Sequence, residues 1–405
     1  MDERIKKMRT YRNLYEEYLS DLNIFESVHD ARLGKKHHEL LSKMENDFLN
    51  WLPVIKRWTT NFKNSKHTPR IIHEGSRNKQ REIIVPTDKE QVIHHMLVNP
   101  LKPVVLHGMY EHAYGSVPGK GAEKCAHYIK RDIKHDRKNT KYCLKMDIRH
   151  YYPTIDTSIL KAMLSERIKD DRYLAVLFEV IDVYPVGLPL GFYTSQWLAQ
   201  FYLHKLDRFI KQDLKAVHYY RYVDDMVIFG SNKRELHRMR IAIEQYLNEV
   251  LHLEMKGNWQ VFRFDWIDKR GKHHGRDLDF LGYRFFRDKT ILRKSIMIRC
   301  ARKAKRIHDR HRLTVKDART MMAYLGKIDH ADVYGMYKNR IKPYANIKRC
   351  KRKISAHDRR EKRLCGLKQN QTLNLQSRTQ CHPRSTTTTG GTSNSQNENS
   401  KTAQK

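Results

Sequence analysis

The chain has 405 residues, 39% of them hydrophobic, enough for the core of one large domain or of two or three small ones. Lys and Arg number 80 against 45 Asp and Glu, and the resulting net charge of +35 calls for a polyanionic partner. No apolar run approaches the roughly 18–20 residues of a membrane span and no signal-peptide core follows Met1, so a cytoplasmic protein without a membrane partner is expected.

Taken in chain order, residues 1–69 read as a helical extension. Tyr11, Leu14, Tyr15, Tyr18, Leu19 and Leu22 form one stripe at helical spacing; Leu40, Leu41, Met44, Phe48 and Leu52 form another. Residues 70–86 predict a β-hairpin, two β-branched runs around Gly75-Ser76-Arg77-Asn78. Pro100 and Pro103 are expected to break the segment that follows. A Gly- and Pro-rich stretch from Tyr114 to Gly121 opens a helix through Lys134. Next come a strand at 142–148, helices, a loop at 184–193 and a helix through Ile210. A hairpin centred on Asp224-Asp225, a helix at 233–250 and further strands close a region spanning 70–286. Residues 287–345 are helical and strongly basic. Residues 346–405 are basic and then, beyond Gly366, rich in Ser, Thr, Asn, Gln and Gly, a composition too polar to fold alone.

Six scattered cysteines without a CxxC pair indicate a reducing compartment, with neither a disulfide framework nor a zinc site. The histidine pairs His37-His38, His94-His95 and His273-His274 lack helical ligand spacing and read as core or solvated residues. Gly119-Lys120-Gly121 lacks the spacing and the hydroxyl of a phosphate-binding loop, which disfavours a nucleotide-driven motor.

Chemistry concentrates in two segments. In Tyr219–Phe229 two adjacent acids, Asp224 and Asp225, interrupt an aromatic and β-branched strand pair. Alone, Val-Asp-Asp is also what an ordinary Asx turn shows. Asp147, however, ends an equally apolar strand far away in sequence. Neighbouring strands would gather three carboxylates at one end of a sheet, a costly arrangement that hard divalent cations relieve. Transfer of a nucleotidyl group to a 3′-hydroxyl needs such a site, because charge grows on both the attacking and the leaving oxygen.

These motifs resemble the palm of reverse transcriptases: Tyr222-Val223-Asp224-Asp225 is similar to the [YF]xDD box, and Asp147 with Tyr151-Tyr152 to the DxxxxF/Y box. The similarity spans roughly residues 70–345. It implies an α+β right-hand fingers–palm–thumb polymerase fold with an antiparallel palm sheet. It further implies two Mg²⁺ ions, with Mn²⁺ as a substitute, on Asp147, Asp224, Asp225 and the Ile148 backbone. Tyr152, five residues past Asp147, matches the position that excludes a 2′-hydroxyl; a core tyrosine is the bland alternative. Lys79 and Arg81 resemble the fingers cations that hold triphosphate, although a solvated hairpin turn shows the same residues.

Gly187–Gln196 resembles the segment beneath the nascent base pair, where Leu190, Gly191 and Gln196 meet the nucleotide; taken alone it is also a Gly/Pro turn before a helix. Many reverse transcriptases carry Gln where Leu190 stands. That departure, with Ser195-Gln196, is similar to diversity-generating retroelement enzymes and to defence-associated or unclassified bacterial groups. Phe280-Leu281-Gly282-Tyr283 matches the primer-grip box, with a plain strand pair as the alternative. Lys120 and Tyr222 are implied to touch primer or template. Trp259-Gln260 stands where a Lys-Thr pair is usual, leaving Lys256 as a nearby general-acid candidate.

From Arg293 to Arg312 nine cations interleave with Ile296, Ile298, Ala301, Ala304 and Ile307, and only Asp309 opposes their sign. This resembles a thumb helix whose Arg299, Arg302 and Arg306 grip phosphates. The implied partners are an RNA template, a DNA or RNA primer, dNTPs, and a structured non-coding RNA or small accessory protein. An RNA-dependent RNA polymerase and a non-catalytic RNA-binding scaffold are the rival readings.

Overall fold

A computed structural model describes residues 9–33, 35, 38–60, 62–74, 79–184, 187–310, 312–360 and 363. The hairpin turn at 75–78 and the polar tail from 364 onward, where disorder is expected, lie outside the described residues, as do the side chains of 73, 74 and 79. Contacts divide the chain into Met1–His357 and Asp358–Lys405, and the elements below belong to the first unit.

Four helices come first: α1 (Leu14–Tyr18), α2 (Asp21–Arg32), α3 (Glu39–Asn46) and α4 (Phe48–Thr60). The first stripe is cut in two, because the Ser20 side chain caps α2 by accepting the Asn23 N–H. Leu22 is thereby turned outward while Tyr18 and Ile24 are buried. β1 (Arg70–Glu74) and β2 (Lys79–Ile83) then pair antiparallel as the expected hairpin.

α5 (Asp88–Leu106) corrects the reading of Pro100 and Pro103, since it runs through both. An interior proline costs about 3 kcal/mol or more by removing a helical N–H and crowding the preceding turn. Here the carbonyl that Pro100 deprives of its partner, that of Met96, accepts a hydrogen bond from Asn23 Nδ2 on α2 at 3.0 Å. Val92, Ile93, Met96, Leu97, Leu101, Val104 and Val105 are all buried along the same helix. Burial at about 1.5–3 kcal/mol for each large apolar side chain outweighs the two penalties. A capping box between Thr87 and Glu90 secures the start of the helix.

The middle of the chain contributes β3 (Ala113–Tyr114), α6 (Ala122–His135), β4 (Tyr142–Asp147), α7 (Tyr151–Thr154), α8 (Thr157–Arg167) and α9 (Asp171–Ile181). It continues with α10 (Tyr193–Tyr202), α11 (His204–Arg208) leading into one π-helical turn, β5 (His218–Tyr222), β6 (Asp225–Gly230), α12 (Lys233–Val250) and β7 (Gln260–Arg263). Five strands form one sheet in the order β3-β5-β6-β4-β7. Every pairing is antiparallel except that of the two-residue edge strand β3, which runs parallel to β5. Strand alternation sends Cys143, Tyr220, Val227 and Phe229 into a core shared with α6, and Leu144, Met146, Met226 and Ile228 to the buried opposite face.

Beyond the sheet, β8 (Trp266–Ile267) pairs with β9 (His273–His274). A three-stranded sheet follows: β10 (Leu278–Phe280), β11 (Tyr283–Phe285) and β12 (Thr290–Leu292). α13 (Lys294–Asp309), α14 (Val315–Asp329) and α15 (Tyr334–Arg340) complete the named elements. Residues of α6, of β10 to β12, of α13 and of α14 share one hydrophobic cluster, so the basic helices are bound to the main sheet through its α6 face. The architecture is α+β, with an antiparallel palm sheet apart from its short edge. Among the described residues no helix is long and apolar enough to cross a membrane. Cys125, Cys143, Cys300 and Cys350 are buried free thiols.

Candidate active site

β4 and β6 pair so that Asp147 stands directly opposite Asp225, and alternation puts both side chains on the face that carries Cys143 and Lys145. Asp224 lies in the two-residue turn between Tyr222 and Asp225. Val223 before it has φ +57°, a left-handed conformation that costs a β-branched residue about 1–3 kcal/mol. Beside β4, Lys256 N–H donates to Asp147 O and Arg149 N–H to Glu254 O. The peptide groups of Ile148 therefore point the other way, toward the Asp224 side. The structure thus brings Asp147, Asp224, Asp225 and the Ile148 backbone to one end of the sheet.

Electrostatically this end is short of positive charge. Burial, then Asp147 and Asp225, push the Asp224 carboxyl up to about 7. Burial and Asp147 likewise raise Asp225, against the opposing pull of Lys145, Lys256 and Arg293. Asp147 Oδ1 is buried without a hydrogen-bond partner, while its Oδ2 takes the Lys256 ammonium. An orphaned carboxylate oxygen beside two acids whose carboxyls are raised by burial and by mutual repulsion fits a divalent cation.

A tighter trio lies elsewhere: Asp265, His273 and Asp288 each offer a ligand atom within 4.8 Å of the others. Asp265 already accepts from the Arg287 N–H at 2.7 Å and contacts His273 Nδ1 at 2.9 Å, so hydrogen bonds account for that group. The histidine reading stands otherwise at His94, which is fully buried against Phe192 and Thr194 Oγ1.

Around the acids the neighbouring elements are stitched together. Tyr152 on α7 accepts the Leu188 N–H on its carbonyl at 2.8 Å. Burial first, then the charge of Asp224, raise its phenol to about 12, against a hydrogen bond from Ser116 and the charge of Arg81. Leu190 O accepts the Ile84 N–H at 2.7 Å, which binds the end of β2 to the 187–191 loop. At Gly191 (φ +111°) a Cβ would sit 2.0 Å from Ile84 O, so only glycine permits this approach. Tyr152 lies in the field of both Asp224 and Arg81, Leu190 and Gly191 adjoin Ile84, and Gln196 is exposed near the start of α10. Lys79 opens β2, and its side chain is outside the described residues.

Lys120 is half-buried and donates to two uncharged acceptors, the carbonyls of Tyr110 (3.2 Å) and Glu111 (3.0 Å). Tyr222 is half-buried and pairs with Asp225 in the ladder. Phe280 and Tyr283 are buried and close a second hairpin turn, with Leu281 at φ +54° and Gly282 at φ +88°. Lys145 on β4 donates to Asp279 O at 2.7 Å, which ties that turn to the palm.

On α13, Cys300 and Ala304 face inward while Arg299, Arg302 and Arg306 are exposed. Three of the nine cations in this stretch are paired with acids that lie just outside it. Arg293 pairs with Asp279, and Lys303 (2.6 Å) and Arg310 (2.9 Å) pair with Asp317 of α14. Asp309 is therefore not the only acid that opposes the basic helix.

Arg221 escaped the sequence reading. It is fully buried in β5, with Nε and Nη2 on the Asp207 carboxylate at 2.7 and 2.6 Å. An arginine among Tyr219, Tyr220 and Tyr222, on a strand with both faces buried, was the available signal, because such a cation requires an acid.

Comparison with known proteins agrees with this arrangement. A family described as reverse transcriptase (RNA-dependent DNA polymerase) matches residues 65–285, more than half of the chain. Among curated relatives, an uncharacterized 91 kDa protein in a cob intron of Schizosaccharomyces pombe is 24% identical over 239 residues, 53% of this chain and 29% of that protein. The Retron Ec73 reverse transcriptase of Escherichia coli is 26% identical over 166 residues, 38% of this chain and 50% of its own length. The matched part is thus half or less of each relative. Solved structures similar to the chain include the apo telomerase of Candida tropicalis, truncated from its C-terminal domain (TM-score 0.40, 14% identity, 62% of this chain and 59% of that one). Telomerase of Candida albicans in complex with a telomeric RNA fragment gives a TM-score of 0.43 at 11% identity, covering 75% of this chain and 60% of that one. With a reverse transcriptase match spanning the hairpin, the palm sheet and all three aspartates, the chain belongs to the reverse transcriptase family.

Proposed function

We propose that the protein is an RNA-directed DNA polymerase that extends a primer 3′-hydroxyl with deoxynucleotides on an RNA template. The observation that carries this reading is the set of three aspartates at one sheet end, with an orphaned Asp147 oxygen and a raised Asp224 carboxyl. Two Mg²⁺ ions, or Mn²⁺ in their place, would neutralise charge on the attacking and leaving oxygens. Asp147, Asp224, Asp225 and the Ile148 carbonyl hold them. Tyr152 packs under the sugar and excludes a 2′-hydroxyl. Arg81 and Lys79 hold the triphosphate, and Leu190, Gly191 and Gln196 border the new base pair. Tyr222, Lys120 and the Phe280–Tyr283 turn support the primer end. Arg299, Arg302 and Arg306 hold duplex phosphates without reading sequence.

Primer extension by the purified protein, parent against Asp224→Asn, tests this reading. The variant is expected to lose several orders of magnitude in rate while binding primer–template as the parent does. Extension with ribonucleotides in preference to deoxynucleotides would make it an RNA polymerase. A parent that binds RNA and extends nothing would make it a scaffold.

The finer placement, in a diversity-generating retroelement or an anti-phage system with a structured non-coding RNA or a small accessory protein, rests on Leu190 with Ser195-Gln196. We place it in the cytoplasm, consistent with its free buried thiols.

A further inference from the structure

The acids sit at the tip of a turn whose preceding residue holds a strained conformation, and a turn left to itself relaxes such strain. Both polar groups of the Val223 residue are pinned. Its N–H donates to Tyr114 O at 3.0 Å, and its carbonyl accepts from Arg221 Nη1 at 2.9 Å. The same Nη1 donates to Gln200 Oε1 at 2.9 Å. Gln200 Nε2 in turn donates to Tyr114 O at 3.1 Å and to Gly115 O at 2.6 Å. These bonds form a closed circuit: Val223, Tyr114, Gln200, Arg221 and back to Val223. Asp207 anchors it from α11 by taking the other two nitrogens of Arg221, and its Oδ1 also accepts the Tyr219 hydroxyl at 2.8 Å.

Arg221, Asp207 and Gln200 are all buried, so the circuit lies in a medium where hydrogen bonds are stiff and no water competes. Space is arranged for the strained residue as well: a Cβ at Gly115 would lie 2.6 Å from Val223 Cγ2. From this geometry we infer that Arg221, with Asp207 and Gln200, is a positioning device that fixes the Val223-Asp224 turn and so sets the metal affinity of the aspartates. It touches neither substrate nor ion and acts only through the Val223 peptide. The inference rests on the polymerase reading for its catalytic consequence, but not for its effect on cation binding.

Replacing the guanidinium by an ammonium keeps a cation opposite Asp207. One ammonium cannot serve Asp207 twice and also reach Gln200 and Val223 O. Arg221→Lys is therefore expected to lower kcat by about 100-fold, the cost of a small misplacement of reacting groups. Its KM for dNTP and its primer–template affinity should stay within about threefold of the parent, as for a defect confined to the transition state. The Mg²⁺ concentration for half-maximal rate should rise, and high Mg²⁺ should restore part of the loss. Gln200→Met leaves the Arg221–Asp207 ion pair intact and removes the hydrogen bonds of the amide to Arg221 Nη1, Tyr114 O and Gly115 O. It should move the same quantities in the same direction by less, and it serves if Arg221→Lys does not fold.

Binding of Mn²⁺ alone, followed by electron paramagnetic resonance on parent, Arg221→Lys, Gln200→Met and Asp224→Asn, reads the effect without catalysis. Weaker Mn²⁺ binding in both circuit variants, with the parent's melting temperature nearly kept, supports the inference. A folded circuit variant with the parent's Mn²⁺ affinity and Mg²⁺ dependence overturns it and leaves the polymerase reading standing. A parent that binds Mn²⁺ yet extends no primer overturns the polymerase reading alone.

Discussion

Among the described residues, two tight hairpin turns, Tyr222–Asp225 and Phe280–Tyr283, solve the same backbone problem in opposite ways. The second places Leu281 and Gly282 at positive φ, the pattern of a turn whose twist matches its strands, and uses glycine where Ile296 Cδ1 would lie 2.6 Å from any Cβ. It is held from outside by two bonds, the Arg293 N–H donating to Gly282 O at 2.9 Å and Lys145 Nζ to Asp279 O at 2.7 Å. The first instead puts a β-branched valine at positive φ and two acids beside it, then restrains them through a buried circuit that reaches α10 and α11. One turn gives one of its two left-handed positions to glycine and packs. The other is costly and is held, as expected where residues are arranged for chemistry rather than for stability.

The largest test of this contrast is Asp224→Asn. Beyond losing activity, it should gain stability, because the parent carboxyl is raised to about 7 by burial and by its two acidic neighbours. A group with a raised folded-state value lends stability below its unfolded value, near pH 4, and withdraws it as pH climbs through 7. In EDTA at pH 8 the variant should therefore melt about 2–5 °C above the parent, and the gap should close toward pH 5. Equal melting at both pH values would mean that the acids carry no mutual cost.

Next in size is Tyr152→Ala. Its half-buried ring lies within the field of Asp224, so truncation should open space at the proposed sugar position. The preference for dNTP over rNTP in single-nucleotide extension should fall by about 100-fold, as when a pocket loses a steric block. A preference that does not move places the gate elsewhere.

Gly282→Ala probes the other turn. At φ +88° with Ile296 in the way, it should cost about 1–3 kcal/mol of stability in urea melts. Because the turn supports the primer end, extension by the fraction still folded should fall, but by far less than in Asp224→Asn. A variant that keeps its stability but loses rate would show the packing turn to be as tightly coupled to chemistry as the acidic one.

What was readable follows from the range of the interactions. α12 was legible as 233–250 and β4 to within one residue, because their periodicity is local and their ends are capped or turned locally. α5 was misread at Pro100 because the group that rescues the Met96 carbonyl, Asn23, lies 73 residues away. Charge pairing is hidden as well: Lys303 and Arg310 read as part of the basic face until Asp317 pairs with both from the next helix. The three aspartates were legible as a motif, and their direct pairing across β4 and β6 is a fact of register. The circuit behind them was not legible, since Gln200 and Asp207 belong to helices whose local pattern gives no sign of a strand partner.

The smallest expected effect concerns Leu190, which sits between the two styles of turn. Its carbonyl takes part in the stitch to Ile84, but its side chain is half-buried and aliphatic. On the proposed reading, a glutamine there would add an amide beside the incoming sugar, able to report the shape of the new pair by hydrogen bonding, whereas leucine only fills volume. One such contact is worth about 1–2 kcal/mol, or roughly tenfold in discrimination. Leu190→Gln should then lower the error rate of long cDNA by up to about tenfold, most clearly at template adenines, with little change in stability. The backbone bond to Ile84 is untouched by the substitution, so any change in fidelity belongs to the side chain. Coincident error spectra for parent and variant would make Leu190 a packing residue and would remove the main support for a mutagenic retroelement.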